Sequence, residues 1–135
     1  IKSNLPNGKK RPEQKLPPMR YRSTDGFTIL CGRNNIQNDR LTLKESRGND
    51  IWFHVKNIPG SHVIVFCGGE QVSDETVLFA AGLAAGNSKA ASSSNVAVDY
   101  TPVKYVKKPN GAKPGMVIYV NNKTVYVDPK EKIGN

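Results

Sequence analysis

Asp50 to Val63, DIWFHVKNIPGSHV, holds both histidines and the single tryptophan of the chain, together with a serine and an acid. Ser61 beside His54 and His62 raises the question of a nucleophile and its base, with Asp50 the nearest acid in sequence. Gly60-Ser61-His62-Val63, however, lacks the glycine that closes a G-x-S-x-G elbow. No catalytic residue is assigned, and the chain is not expected to be an enzyme. Cys31 and Cys67 with the histidines raise zinc, but no short paired cysteine spacing occurs. The cysteines lie in FTILC and VIVFC and read as small buried thiols, with a disulfide between them left open. GRNN (Gly32 to Asn35) and GAKPG (Gly111 to Gly115) match no phosphate-binding fingerprint. No metal, cofactor or small-molecule substrate is therefore expected.

Recognition is the remaining chemistry. In a strand, Ile51, Phe53 and Val55 point to one face, and Trp52 and His54 to the other. Two readings stay open for the second face. It is a packed surface in which Trp52 supplies buried area, or an exposed one offering rings and donors to an unstacked nucleotide. His62 joins that face if the register allows. Further along, Lys104, Lys107, Lys108 and Lys113 crowd together with Tyr100 and Tyr105 interleaved, and no acid occurs from 100 to 127. Such a run is either a solvated face or a set of phosphate contacts, and the missing acids favour the second.

Charge is segregated. The chain of 135 residues carries a formal net charge of +9. Residues 1–25 hold seven Lys/Arg against two acids, 26–98 hold six against six, and 99–135 hold seven against three. The positive excess thus lies in the flanks, which points to nucleic acid or an acidic surface as partner. No apolar run reaches membrane-spanning length, so no membrane partner is expected. Residues 1–18, with four prolines, read as a linker, 19–129 as the folded domain, and 130–135 as a flexible tail.

The elements that must position these residues follow from pattern. MRYRS and FTILC form a hairpin around Thr24-Asp25-Gly26, and Asn38 or Asp39 caps a helix through DRLTLKES. IWFHV and SHVIVF pair antiparallel, with Pro59-Gly60 central in a type II turn. The best helix starts at Ser73 and presents Val77, Leu78, Ala81, Ala84 and Ala85, its glycines packing closely on a sheet. NVAVDYT is a strand, and MVIYV and KTVYV form a hairpin around Asn121-Asn122. The fold class is α+β, a mainly antiparallel sheet with one well-defined helix packed on it.

DGFTILCGRNNIQND, DIWFHVKNIPGSHVIV and VDYTPVKYVKKPNGAKPGMVIYVNNKTVYVDP, in that order, resemble the C-terminal R domain of the NFACT family, also labelled fibronectin-binding protein A-like. The resemblance runs from about Tyr21 to Pro129. It implies an RNA-binding module of a cytoplasmic, ribosome-associated quality-control factor. The whole factor binds a stalled large ribosomal subunit with its peptidyl-tRNA, and recruits tRNA for alanine tailing. The implied partners are tRNA, the rRNA of the large subunit, and other domains of the full-length protein. The older label implies an alternative, a protein-interaction or adhesin module that binds an extracellular matrix protein or docks within the full-length factor. The family's marked positions fall on Arg33, Asn34, Asn35, Asn38, Asp39, Asp50, Trp52, His54, Pro59, Gly60, Ser61 and His62, and its basic loop on Lys104, Lys107, Lys108, Lys113 and Pro114. Of these, Arg33, Asn34, Asn35, Asn38, Asp50, Trp52, His54, Ser61, His62, Lys104, Lys107, Lys108 and Lys113 are the candidate RNA contacts. One departure is implied as well: Gly86-Asn87 stands where the family carries an aromatic pair, which should loosen that helix end.

Overall fold

Strand pairing in the computed structural model, which describes residues 16–130, follows the period-two runs. The linker expected over 1–18 and the tail expected over 130–135 lie mostly outside those residues. Met19–Arg22 (β1) pairs antiparallel with Thr28–Cys31 (β2) across the Asp25-Gly26 turn. Ile51–Val55 (β3) and Val63–Phe66 (β4) pair with Trp52 opposite Ile64. Val96–Pro102 (β5) adds to the other side of β3, and Lys123–Val127 (β8) to the far side of β5. The six-stranded order is β1-β2-β4-β3-β5-β8, antiparallel throughout.

Asp74–Gly86 (α2) covers one face. Ser73 caps it by accepting the Thr76 N–H, and the Asp25 carboxylate accepts from the Ser73 N–H and the Thr76 hydroxyl. The sheet curls around this helix, since Tyr21 of β1 meets Phe79 edge to face and β8 also packs on it. Phe53, Val55, Val63, Val65 and Val98 bury against Ala80, Ala81, Ala84 and Ala85. Leu78, expected on the packed face, is half exposed. The helix glycines also serve a different purpose from the expected one. Gly82 and Gly86 face residues 128–130, not the sheet: a Cβ on Gly86 would overlap the Lys130 carbonyl oxygen. The Lys130 N–H donates to the Gly82 carbonyl at 2.9 Å. So Gly86 makes a tight crossing where a loosened helix end was expected, and Lys130 is tied down, not part of a free tail.

The second face of the sheet is covered too. Asn35–Arg40 (α1) runs on into a π-helical turn, Leu41–Glu45. A short ribbon of Val106–Lys107 (β6) and Ile118–Tyr119 (β7) follows the 3-10 turn Val103–Tyr105. Leu41, Trp52, Ile64, Val103 and Val106 form this smaller core. Helix α1 begins earlier than expected because Asn34, not Asn38 or Asp39, is its cap, accepting the Gln37 N–H at 2.9 Å. The hairpin expected around Asn121-Asn122 does not form. Asn121 does adopt positive φ, but β7 pairs with β6 and β8 with β5, so the turn hands the chain from ribbon to main sheet. Thr101 Oγ1, which donates to the Val120 carbonyl at 3.1 Å, ties this crossing to β5.

Candidate nucleic-acid interface

β3 and β4 put Trp52, His54 and His62 on the covered face, and the register expected to decide His62 brings it into contact with both others. The Trp52 and His54 rings lie parallel with centroids 5.7 Å apart, and His62 meets each edge on. Trp52 and His62 are buried; His54 is only partly so. The reading in which Trp52 stacks directly on RNA is therefore corrected. The cover over its face comes from α1, the π-helical turn and the ribbon.

The polar atoms of this layer are matched. Trp52 Nε1 donates to His62 Nδ1 at 3.1 Å, and Thr42 Oγ1 lies 2.8 Å from the same nitrogen. Indole N–H is only a donor, so Nδ1 accepts, and Nε2 carries the proton toward the Gly115 carbonyl at 3.0 Å. Burial holds the His62 pKa down to about 4, with the neighbouring His54 acting in the same direction. Asn38 Oδ1 accepts the His62 backbone N–H at 3.0 Å. Asp39 Oδ1 accepts the Gly115 N–H at 2.9 Å, while its carboxylate pairs with Lys108 at 3.2 Å. Lys108 also donates to the carbonyls of Lys113 and Met116. These bonds fasten the 108–116 loop onto α1 and His62.

Several expected contacts are thus interior props. Asn38, Asp50, Trp52 and His62 are buried. Asp50 staples two loops, accepting from the backbone N–H groups of Arg47 and Gly68. Lys108 is committed to Asp39, whereas Lys104, Lys107 and Lys113 remain exposed. Lys104 lies over the Tyr105 ring at 5.5 Å.

Other expected residues converge. Arg33, Asn34, Asn35 and Ser61 line a polar groove of about 340 Å³ with Asn87, Ser88 and Lys89. The loop joining β3 to β4 forms one wall. Its positive φ is at Asn57, not at Gly60, so the expected Pro-Gly type II turn is absent. Gly60 is needed for closeness instead: a Cβ there would stand 2.7 Å from that of Ser88. The Ser61 N–H donates to the Asn87 carbonyl, and that of Lys89 to the Pro59 carbonyl. Ser61 Oγ donates to the Gly32 carbonyl at 2.7 Å. Arg33 is exposed and gives its Nε–H to the Pro17 carbonyl at 2.6 Å. Lys89 is exposed opposite. Sequence reading missed Lys89 and Asn87; the contrast between Lys89 and its nearly uncharged surroundings was the only available signal.

A second cleft, of about 560 Å³, shares Asn35, Pro59 and Gly60 with this groove and reaches His54, Met116 and Tyr119. Burial lowers the His54 pKa, so its ring is uncharged at neutral pH. Among the described residues no cluster of His, Cys, Asp or Glu fit to hold a metal is found. Cys31 and Cys67 are buried free thiols, and burial pushes Cys31 up to about 11. Among the described residues no helix is long and apolar enough to cross a membrane.

Comparison with known proteins adds to this geometry. A family model described as the NFACT protein RNA binding domain matches residues 18–121. The Rqc2 homolog RqcH of Bacillus subtilis is 51% identical over 109 residues, which are 81% of this chain and 19% of that protein. The coiled-coil domain-containing protein 25 of Bos taurus is 30% identical over 115 residues, 82% of this chain and 55% of that protein. A solved structure, the C-terminal part of the fibronectin/fibrinogen-binding protein from Streptococcus suis, superposes with a TM-score of 0.85 at 44% identity, covering 93% of this chain and 50% of that one. The chain spans about a fifth of the length of the RqcH relatives.

Proposed function

This chain belongs to the NFACT RNA-binding domain family, and from that premise we propose that it is the RNA-contacting module of a ribosome-associated quality-control factor. In the larger protein it would help hold tRNA against a stalled large ribosomal subunit in the cytoplasm, in support of alanine tailing. The single observation that carries the RNA contact is the groove in which Arg33 and Lys89 flank a wall of amides and hydroxyls. Cationic ends suit phosphates, and neutral donors and acceptors suit ribose and base edges.

The module binds and does not catalyse. In support, the Ser61 hydroxyl proton is given to the Gly32 carbonyl, and the His62 ring nitrogens are occupied by Trp52 and Gly115. Neither residue is poised as nucleophile or base. Filter binding of a deacylated tRNA at two salt concentrations tests the reading. Binding should weaken steeply as salt rises, because each phosphate contact releases counterions. Weak, salt-insensitive binding would contradict it.

A second reading has one observation in its favour. Leu78, Phe79 and Tyr126 line an apolar groove between α2 and β8, on a surface away from Arg33, and Leu78 and Tyr126 are exposed. This groove would serve docking to another domain of the full-length factor or to an extracellular matrix protein. Substituting Tyr126→Glu should then abolish the protein contact while RNA binding persists.

A further inference from the structure

The cleft beside the cationic groove has two walls, each fixed independently. The Asn57–Gly60 wall is held by the Lys89 N–H to Pro59 carbonyl bond and the Gly60–Ser88 bridge. The opposite wall, around Gly115 and Met116, is held by His62 Nε2, Asp39 and Lys108. Between them the floor is aromatic: the Trp52 and Tyr119 centroids are 4.6 Å apart, and His54 lies parallel to Trp52. Asn35 and Asn57 bring amides to the rim. A preformed, mostly apolar cleft of this size with few polar groups is the usual form of a small-ligand site. Its opening adjoins the groove of Arg33 and Lys89 through Asn35, Pro59 and Gly60.

We propose that this cleft receives the base of an unpaired nucleotide whose phosphates lie in the adjoining Arg33–Lys89 groove. The inference rests on the RNA reading above and specifies its substrate as single-stranded. A paired base has its faces covered by stacking and its edge occupied, so it cannot enter between the two walls. An unstacked base presents a π-face to the His54 and Tyr119 rings and an edge to the amides. Trp52 forms the floor and acts by positioning His54, not by touching the base.

Trp52 is the only tryptophan, so its fluorescence reports on the cleft. The test titrates this chain with a short oligouridylate, and with an abasic oligomer of the same length and charge. The oligouridylate should perturb Trp52 emission and bind about fivefold to a hundredfold more tightly than the abasic oligomer, the range that loss of base stacking brings. His54→Ala should erase that preference and leave the abasic oligomer's affinity unchanged. Met116→Gln, a charge-neutral change at a wall residue 58% exposed and so tolerant of change, should lower that preference without touching the phosphate contacts if His54→Ala perturbs the fold. Equal binding of the two oligomers, still weakened by salt, would overturn the base site and leave the RNA reading standing. Binding of neither would remove the RNA reading and the base site together.

Discussion

His62 accepts the Trp52 indole proton on Nδ1 and donates from Nε2 to Gly115, so a second ring proton would face the indole N–H head on. Its pKa falls from 6.5 to about 4 chiefly because the ring is buried, with the neighbouring His54 acting in the same direction. Between those values the unfolded chain binds a proton that the folded chain does not, so stability rises with pH across the window. A shift of this size corresponds to roughly 3 kcal/mol at most, lost progressively as pH drops from about 6.5 toward 4. Urea unfolding at intervals of pH should show this slope, and His62→Gln should flatten it. The buried carboxylate Asp99, whose pKa the Tyr119, Thr124 and Lys56 contacts hold down against desolvation, acts only at lower pH. Trp52→Ala, which empties the middle of the second core, should cost about 3–5 kcal/mol in the same assay. Alternation along β3 was enough to divide Ile51, Phe53 and Val55 from Trp52 and His54. It was not enough to show whether the second face was open, because the residues that cover it come from 35–45 and 103–119. Lys108 illustrates the same limit: a run of lysines looks uniform until one of them meets Asp39.

At the level of elements, α2 was legible from Ser73 and its first-turn acids, and the main strands from their apolar alternation. Elements whose partners are distant were less so. Asn121 marks a turn, but two adjacent β runs look like a hairpin unless one knows that β6 captures β7 and β5 captures β8. Helix α1 carries its signal at Asn34 and Gln37, three residues apart, with the Gln37 amide oxygen also accepting the Arg33 N–H. Asn38 and Asp39, equally good caps by type, are used instead to hold His62 and Gly115. The glycines of α2 give an experiment at this scale. Gly→Ala inside an exposed helix ordinarily gains up to about 1 kcal/mol. Gly86→Ala should instead lose about 1–3 kcal/mol, the usual cost of overpacking, because the Lys130 carbonyl occupies the space. Thermal unfolding of the variant distinguishes the two signs.

Across the whole molecule the charges are arranged by place as well as by sequence. In the folded chain, exposed Glu70, Asp74 and Glu75 gather at the start of α2, while Arg33 and Lys89 stand near its end. A helix of 13 residues separates the two ends by about 20 Å, beyond the screening length at physiological salt. Lys104, Lys107 and Lys113 are exposed as well, and the backbone of Lys104 is bonded to Gly48. The most direct test is the slope of log affinity against log salt for a single-stranded RNA, measured for the parent chain and for Arg33→Glu with Lys89→Glu. If those two residues meet phosphates, the double variant should bind at least about tenfold more weakly and its slope should shrink by about 1.4, two contacts' worth on a single strand. An unchanged affinity and slope, with the fold intact, would contradict the assignment of this groove as the RNA interface.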